Sequence, residues 1–501
     1  MSISTSLTLR AILAIGLMVG FYLLAVTIAA GLLFVPYAEL RYAHRLHIRL
    51  AAFCLIGGVV VLWSILPRFD RFTPPGPALQ PKDQPRLFEI LSDMALSAEQ
   101  SLPSEVYLIP EVNAWVAQRG GIMGIGSRRV MGIGLPLLQI LTISQLKAIL
   151  AHEFGHYYRG DTKLGPWIYK TRAAIGRTLE NLSGVSETLQ APFLWYGKMF
   201  LRITHAVSRR QELVADQLAA QKVGAKPLTD GLKSVSGKAG AFSTYLMYEV
   251  MPILNAGFRP PISEGFARFM SSKSIQVEIA NSVKKELDEG TTNPYETHPS
   301  LRERLEAVKD LPKNVLSDDE QSSISLVDNF AEMEPELLKS VFGFEEKQLQ
   351  DLNPIEWEDV PMKVYVSGWR KMVIRNKDAF IEIDPTSLPV IVKDPLSSAS
   401  KFKDYRDGKV LPKNVADYMV HAFGSAFAVT LLNNKWGLHA ELGEQVYFQY
   451  KDQKIRPFEV VGQVFSGKLS ANEWNNVCNQ ARISRFDIDR SGSDSSKCES
   501  T

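Results

Sequence analysis

Two histidines four residues apart, with a glutamate directly after the first, stand at His152-Glu153-Phe154-Gly155-His156. Side chains at that spacing lie over one another on a single helix face, so both imidazoles can point at one ion. Glu153 sits beside that face, within reach of a water molecule held by the same ion. Neutral imidazoles suit zinc, and two protein ligands leave its tetrahedron unfinished, so a third ligand must come from elsewhere. The chemistry such a group could support is hydrolysis: the ion polarises a carbonyl and the carboxylate accepts the proton of the attacking water.

A second stretch offers the missing ligand. Ser208-Arg209-Arg210-Gln211-Glu212-Leu213-Val214-Ala215-Asp216 reads as a helix with Glu212 and Asp216 four apart on one face. Glu212 would complete a His, His, Glu set and leave one position open for water, as catalytic zinc sites do and structural ones do not. Asp216 would accept the free ring N–H of a ligand histidine and fix its tautomer. The plain alternative is a solvated acidic pair on a surface helix. The His152–His156 pattern upstream decides against it.

The order of these elements resembles the membrane-bound zinc metallopeptidases that include HtpX and the CAAX prenyl proteases. H-E-F-G-H-Y-Y-R-G-D is followed by S-R-R-Q-E-L-V-A-D-Q-L-A, and Thr297-His298-Pro299-Ser300-Leu301-Arg302-Glu303-Arg304 is similar to the family's later H-P-x-x-x-x-R element. Asn113-Ala114-Trp115 resembles the strand before the zinc helix, and the resemblance spans residues 87–308. It implies that His152, His156 and Glu212 hold one zinc ion, that Glu153 is the base, and that Asp216 is the orienting carboxylate. It also implies substrate binding along Asn113, Ala114 and Trp115. His298 is placed near the site as a donor to the oxyanion, the other reading being a turn residue before Pro299. Arg304 would hold nearby carboxylates, Asp216 among them.

The elements that must position these residues are partly legible. Thr142 and Gln145 have the T-x-x-Q spacing of a capping box, which starts a helix near Ile143. Leu146, Ile149 and Leu150 give it an apolar stripe, and Gly160 supplies a stop. Residues 87–100 have helical spacing, while 106–110 and 114–118 read as short strands. A hairpin is expected around Ser127-Arg128-Arg129, with an edge that could take up extended substrate backbone by strand addition. Gly121, Gly124 and Gly126 fit neither a dinucleotide nor a Walker loop, and no P-loop lysine follows.

Residues 11–35 carry no charge and are long enough to cross a bilayer; residues 50–66 are also uncharged but only just long enough. A transmembrane hairpin is the reading, against a cleaved signal peptide, whose apolar region would be shorter and unpaired. Arg41, Arg45 and Arg49 lie in the short loop, whereas Arg10, Arg68, Arg71, Lys82 and Arg86 lie on the other side. The positive-inside rule therefore puts termini and catalytic domain in the cytoplasm, and the resemblance suggests a bacterial inner membrane. Residues 191–207 read as a core or interfacial helix rather than a third span. His205 there is an ordinary helix residue or, less simply, one that faces the zinc. His44 and His47 fall in the loop, and His421 and His439 have no ligand-like neighbours.

With 56 Lys+Arg against 54 Asp+Glu over 501 residues, the net charge of +2 gives no argument for a nucleic-acid partner. Cys54, Cys478 and Cys498 make neither a disulfide framework nor a C-x-x-C metal site. The expected layout is a hairpin over 1–70, a linker over 71–86, a peptidase domain over 87–310, and an acidic, solvated helical connection over 311–360. An α+β accessory domain over 361–490 and a disordered tail over 491–501 follow. In the accessory domain strands are expected at 364–366, 373–375, 380–383, 390–392 and 445–449, a helix at 415–432, and a last helix anchored by Trp474. The fold class is thus α+β, with a mainly helical zincin-type peptidase domain between membrane hairpin and accessory domain. The functional expectation is a membrane-anchored zinc endopeptidase acting on misfolded or membrane-associated polypeptides. A processing protease for a specific, lipidated substrate and a non-catalytic adaptor with structural zinc are the alternatives. Glu153 argues against the adaptor, since metal binding alone needs no base.

Overall fold

The computed structural model describes residues 3–486 except 70, 122–125, 158–164 and 294. The Gly160 stop, Gly124 and the 491–501 tail lie outside the described residues. The chain divides into two compact units, Met1–Phe242 with Ile279–Phe344, and Ser243–Glu278 with Glu345–Thr501. Residues 243–278, read from sequence within the peptidase segment, therefore pack with the C-terminal unit.

In the first unit, α1 (Ile3–Ala38) and α2 (Ile48–Ile65) form an antiparallel apolar pair. The spans Ile12–Ala43 and Ile48–Ile65 are long and apolar enough to cross a membrane. Small residues let the two backbones approach: a Cβ on Gly58 would lie 2.8 Å from Leu33 Cγ and 3.3 Å from the Ala29 carbonyl oxygen. Leu23, Phe34, Ile48 and Trp63 are left exposed, as lipid-facing side chains would be. The pair is joined to the peptidase segment by α6 (Gly165–Ser183) and α7 (Glu187–Lys222). Phe21, Ala25, Val61, Ile175, Phe193 and Phe200 form one buried cluster. Tyr196 donates to the Leu17 carbonyl at 2.7 Å, and Asn181 donates to Ser64 Oγ at 2.9 Å. Residues 191–207, expected as a core or interfacial helix, are thus part of the long α7, whose second half carries Glu212.

A four-stranded sheet has the order β1-β2-β4-β3, from Ala78–Leu79, Glu105–Ile109, Arg128–Gly134 and Ala114–Arg119 respectively. β3 and β4 are the expected hairpin, antiparallel from Ala114↔Ile133 to Arg119↔Arg128, and β3 is an edge strand. Part of the expected linker is β1, which pairs with β2; a Cβ on Gly76 would lie 2.1 Å from the Leu108 carbonyl oxygen, so only glycine admits that approach. Helices α3 (Pro85–Ser97), α5 (Ile143–Gly155) and α8 (Ala225–Lys238) pack around the sheet, with Leu91, Leu108, Met131, Leu146, Leu150, Phe154 and Leu228 in a single core. The acidic connection is less solvated than its composition suggests. Its backbone carbonyls at Gln321 and Asp319 accept from Ile143 N and Ser144 N at 2.8 and 3.2 Å. First-turn N–H groups have no partner within their own helix, and a passing chain satisfies them here.

The second unit packs helices around Val415–Asn433, which buries Met419, Phe423, Ala426 and Phe427. That helix is also apolar and long enough to span a membrane, but two-thirds of its window is buried inside the fold, as for a core helix. An antiparallel sheet of Gly437–His439, Tyr447–Tyr450 and Gln453–Ile455 completes the α+β unit. Four of the strands read from sequence are helical instead: 364–366 falls in a π-helical turn, Pro361–Val366, and the others in or beside Ser367–Arg375, Lys377–Glu382 and Leu388–Ile391. The β-branched residues suggested strands, yet Val366, Trp369 and Val373 are buried at three- and four-residue spacing, which is a helix face. The last helix, Ala471–Gln480, is held by Trp474, whose indole donates to the Pro385 carbonyl at 2.8 Å.

Candidate active site

The helix α5 is fixed at its start by the expected capping box: Gln145 N donates to Thr142 Oγ1 at 3.3 Å and Thr142 N to Gln145 Oε1 at 3.2 Å. Its regular part ends at Gly155, with His156 keeping helical φ and ψ of −59° and −22°. The absence of a side chain at Gly155 brings α7 close, because a Cβ there would lie 3.3 Å from Ala215 Cα. Glu212 and Asp216 flank Ala215, so that contact sets both carboxylates against the histidine face.

His152 Nε2 lies 3.5 Å from Glu212 Oε2, and His156 Nε2 lies 3.4 Å from Glu212 Oε1. These separations are longer than good hydrogen bonds. They match the edge of a tetrahedron with zinc-to-ligand bonds of ~2.0–2.1 Å, which is about 3.3–3.4 Å. Glu212 Oε2 is buried without a well-directed hydrogen bond among the described residues. With Oε2 facing His152 and Oε1 facing His156, the Glu212 carboxylate is chemically fit to be a third zinc donor. His152, Glu153 and His156 also bring ligand atoms within 4.8 Å of one another.

Around this set runs a layer of charged contacts. His152 Nδ1 meets Asp216 Oδ1 at 2.9 Å, so the ring donates there and keeps Nε2 for an ion. Asp216 is fully buried and held by Arg304 through two bonds, Nε to Oδ2 at 2.8 Å and Nη2 to Oδ1 at 2.7 Å. Burial opposes ionisation of Asp216, but the Arg304 guanidinium outweighs it and lowers the carboxyl below its usual range. Burial likewise opposes the charge on His152, yet Asp216 raises that ring to about 9. His156 is pushed down to about 4 by burial and by the neighbouring His152 charge. Burial would raise Glu212, but the His152 and His298 rings beside it hold it well below the carboxylate range. Glu153 is pushed up to about 7, by burial before any charge, as suits a group that takes and returns a proton near neutrality.

His298 Nδ1 reaches Glu212 Oε2 at 2.8 Å, with the side chain still 64% exposed. It precedes the Leu301–Val308 helix, capped by Ser300 and Glu303, and Arg304 projects from the first turn of that helix. The segment bearing His298 is clamped along one face of α7. His205 Nδ1 donates to the Tyr295 carbonyl and Arg209 Nη1 to the Glu296 carbonyl, both at 2.8 Å. His205 therefore serves a backbone carbonyl and joins no ligand set. The positioning roles of His205 and Arg209 were not read from sequence, although 205, 209, 212 and 216 share one helix face. Tyr157 was also missed: its hydroxyl donates to the Val116 carbonyl at 2.6 Å, tying edge strand β3 to the end of α5. Trp115 on that strand lies over Gly132, where a Cβ would come within 2.6 Å of the indole. His47 pairs with Glu39, and His421 and His439, in the second unit, stack on Phe458 and Tyr447.

Residues 81–311 match the family described as Peptidase family M48, a stretch that contains every residue of the constellation. This segment belongs to peptidase family M48. The M48 family is that of HtpX and the CAAX prenyl proteases, and membership implies a zinc metalloprotease. Searches of curated proteins and of solved structures give no significant match. The zinc expected of an M48 peptidase suits the donors here, two imidazole nitrogens that lie 3.5 and 3.4 Å from the oxygens of one carboxylate.

Proposed function

We propose that the protein is a membrane-anchored zinc endopeptidase that cleaves misfolded or membrane-associated polypeptides. The observation that carries this reading is the approach of the Glu212 carboxylate to His152 and His156, at 3.5 and 3.4 Å, with Glu153 on the histidines' helix. His152, His156 and Glu212 hold the ion. Zinc bound there supplies Lewis acidity, polarising the scissile carbonyl and making water a better nucleophile. Glu153 takes a proton from the attacking water as its oxygen bonds to the carbonyl carbon. The same carboxyl then returns the proton to the amide nitrogen as the C–N bond breaks. Asp216 fixes the His152 tautomer, and Arg304 keeps Asp216 ionised. His298, with Nδ1 turned to Glu212, has Nε2 left for the substrate oxyanion.

Substrate binding falls to Asn113, Ala114 and Trp115 and the edge strand they open. A free strand edge pairs with any extended backbone, whatever its sequence, which suits unfolded chains. The Tyr157–Val116 bond keeps that edge beside the site. The apolar hairpin supports a membrane anchor, and the loop arginines against those flanking the hairpin support a cytoplasmic catalytic domain. The test is cleavage of casein by purified protein in detergent, with and without a chelator. Chelator-sensitive cleavage restored by zinc is expected; cleavage indifferent to chelator, or none by zinc-loaded protein, removes the proposal.

A further inference from the structure

The second unit contains a cavity of about 620 Å³, far from small for an organic ligand. Two π-helical turns contribute to its wall, Leu246–Val250 with Glu249 and Pro361–Val366 with Tyr365. Such turns are rare and add a residue per turn, which swings side chains out of helical register, and they recur at functional sites. Here they bring Glu249 and Tyr365 together: the Tyr365 hydroxyl lies 3.4 Å from Glu249 Oε2. The other carboxylate oxygen accepts from Gly443 N at 3.0 Å. Both donors are neutral, and among the described residues Glu249 has no cationic partner.

The surrounding wall is cross-linked by hydrogen bonds and close packing. Gly443 takes a positive φ of 74°, and a Cβ on it would lie 2.8 Å from Ile275 Cγ1. The next residue, Glu444, pins the same loop by accepting from Ser272 Oγ at 2.8 Å, Ser274 N at 3.0 Å and Ser274 Oγ at 2.6 Å. Trp357, also in the lining, is held by its indole donating to the Pro261 carbonyl at 2.9 Å. Of the cations lining the cavity, Arg268 is already paired with Glu264 and Glu358. Lys273 is the other, against the carboxylates of Glu249, Glu358, Glu441 and Glu444, so the lining is net negative. Burial raises the Glu249 carboxyl, an unfavourable charge that a cationic ligand would relieve.

We propose that this cavity binds an organic cation, an alkylammonium or guanidinium group, that pairs with Glu249 and packs its stem against Trp357 and Tyr365. An organic cation suits both parts of such a wall, since it bonds carboxylates through N–H and aromatic faces through its charge. The source is either a free amine or the lysine or arginine side chain of a polypeptide. The two differ in what flanks the cation, and the experiment separates them.

The full-length protein in detergent is titrated calorimetrically with agmatine, with N-acetylarginine amide and with its neutral isostere N-acetylcitrulline amide. Saturable binding of at least one cation, with the citrulline compound about tenfold or more weaker, is expected from the loss of a charge-assisted bond. Tighter agmatine binding supports a free amine as the source, and tighter blocked arginine a polypeptide. No saturable binding of either cation, or equal binding of the citrulline compound, overturns the site. Glu249→Gln should weaken the cation by about tenfold or more while its unfolding midpoint stays near that of the parent. Wild-type affinity in the folded variant overturns the role of Glu249. Should that variant not fold, the exposed Glu441→Gln gives the same reading at a smaller expected loss of about two- to fivefold.

Discussion

Gly155 faces Ala215 where α5 meets α7, so closely that a Cβ on the glycine would lie 3.3 Å from the alanine Cα. That one contact governs how near the histidine pair comes to Glu212. Gly155→Val is therefore expected to push the helices apart, at about 1–3 kcal/mol for overpacking a filled interface. Zinc content by elemental analysis should fall with thermal stability. A variant that keeps full zinc and stability would mean that the interface can yield without disturbing the donors.

Glu153 and Glu212 are both carboxylates of the site, but their loss should differ. Glu153→Gln keeps the shape and the ligand set while removing the proton acceptor, so activity should drop at least ~100-fold with zinc retained. Glu212→Ala removes a donor, so zinc and activity should fall together. Full zinc occupancy in Glu212→Ala would place the third ligand elsewhere, and near-parental turnover in Glu153→Gln would remove it as the base.

The local parts of this site were readable because their determinants are close in sequence. Thr142 and Gln145 cap α5, and His152 and His156 share its face, within one short segment. Glu212 and Asp216 were readable as a helical pair, and the family resemblance gave them a partner. Long-range contacts to backbone were not readable. His205 bonds a carbonyl 90 positions away, and residues 319 and 321 satisfy the N-terminus of α5, although neither interaction leaves a compositional mark. In the C-terminal unit, short valine-rich runs looked like strands because β-branched residues favour them. The burial of Val366, Trp369 and Val373 on one face, a tertiary effect, overrides that preference.

The proton balance of metal uptake gives an independent check. Without metal, His152 is raised to about 9, burial opposing and the Asp216 carboxylate prevailing, so the ring carries its extra proton at about pH 7.5. A ligand imidazole must be neutral, and binding must therefore expel that proton. Zinc affinity should rise with pH until about 9, where the metal-free ring is already neutral. Calorimetry in two buffers of different ionisation heat should report release of about one proton, with any contribution from Glu153 adding to it. Zinc uptake with no net proton release would show that His152 is neutral before the metal arrives.

Membrane sidedness is open to direct measurement. Reporter fusions after Arg86 and within the loop between the two apolar helices should mark opposite sides, the first cytoplasmic. Both fusions reporting one side, or release of the protein by alkaline wash, would exclude a spanning hairpin.

His298 and Arg304 stand six residues apart. His298 meets Glu212, whereas Arg304 binds Asp216 through two bonds and reaches Glu212 only at 3.9 Å, so their substitution should be separable. His298→Ala removes the ring whose Nδ1 lies 2.8 Å from Glu212 Oε2. If its Nε2 serves the oxyanion, kcat should fall about a hundred- to a thousandfold with KM and zinc content unchanged, since such a bond forms only in the transition state. Zinc loss instead would make His298 a support for Glu212, and unchanged kinetics would reduce it to a turn residue before Pro299. Arg304→Ala acts through Asp216, which has no exposed surface and would lose both guanidinium bonds. Taking the cation from a buried ion pair costs about 3–5 kcal/mol, or protonates the carboxylate and weakens its hold on His152. Stability and zinc retention should therefore fall in Arg304→Ala along with rate, whereas in His298→Ala rate alone should fall.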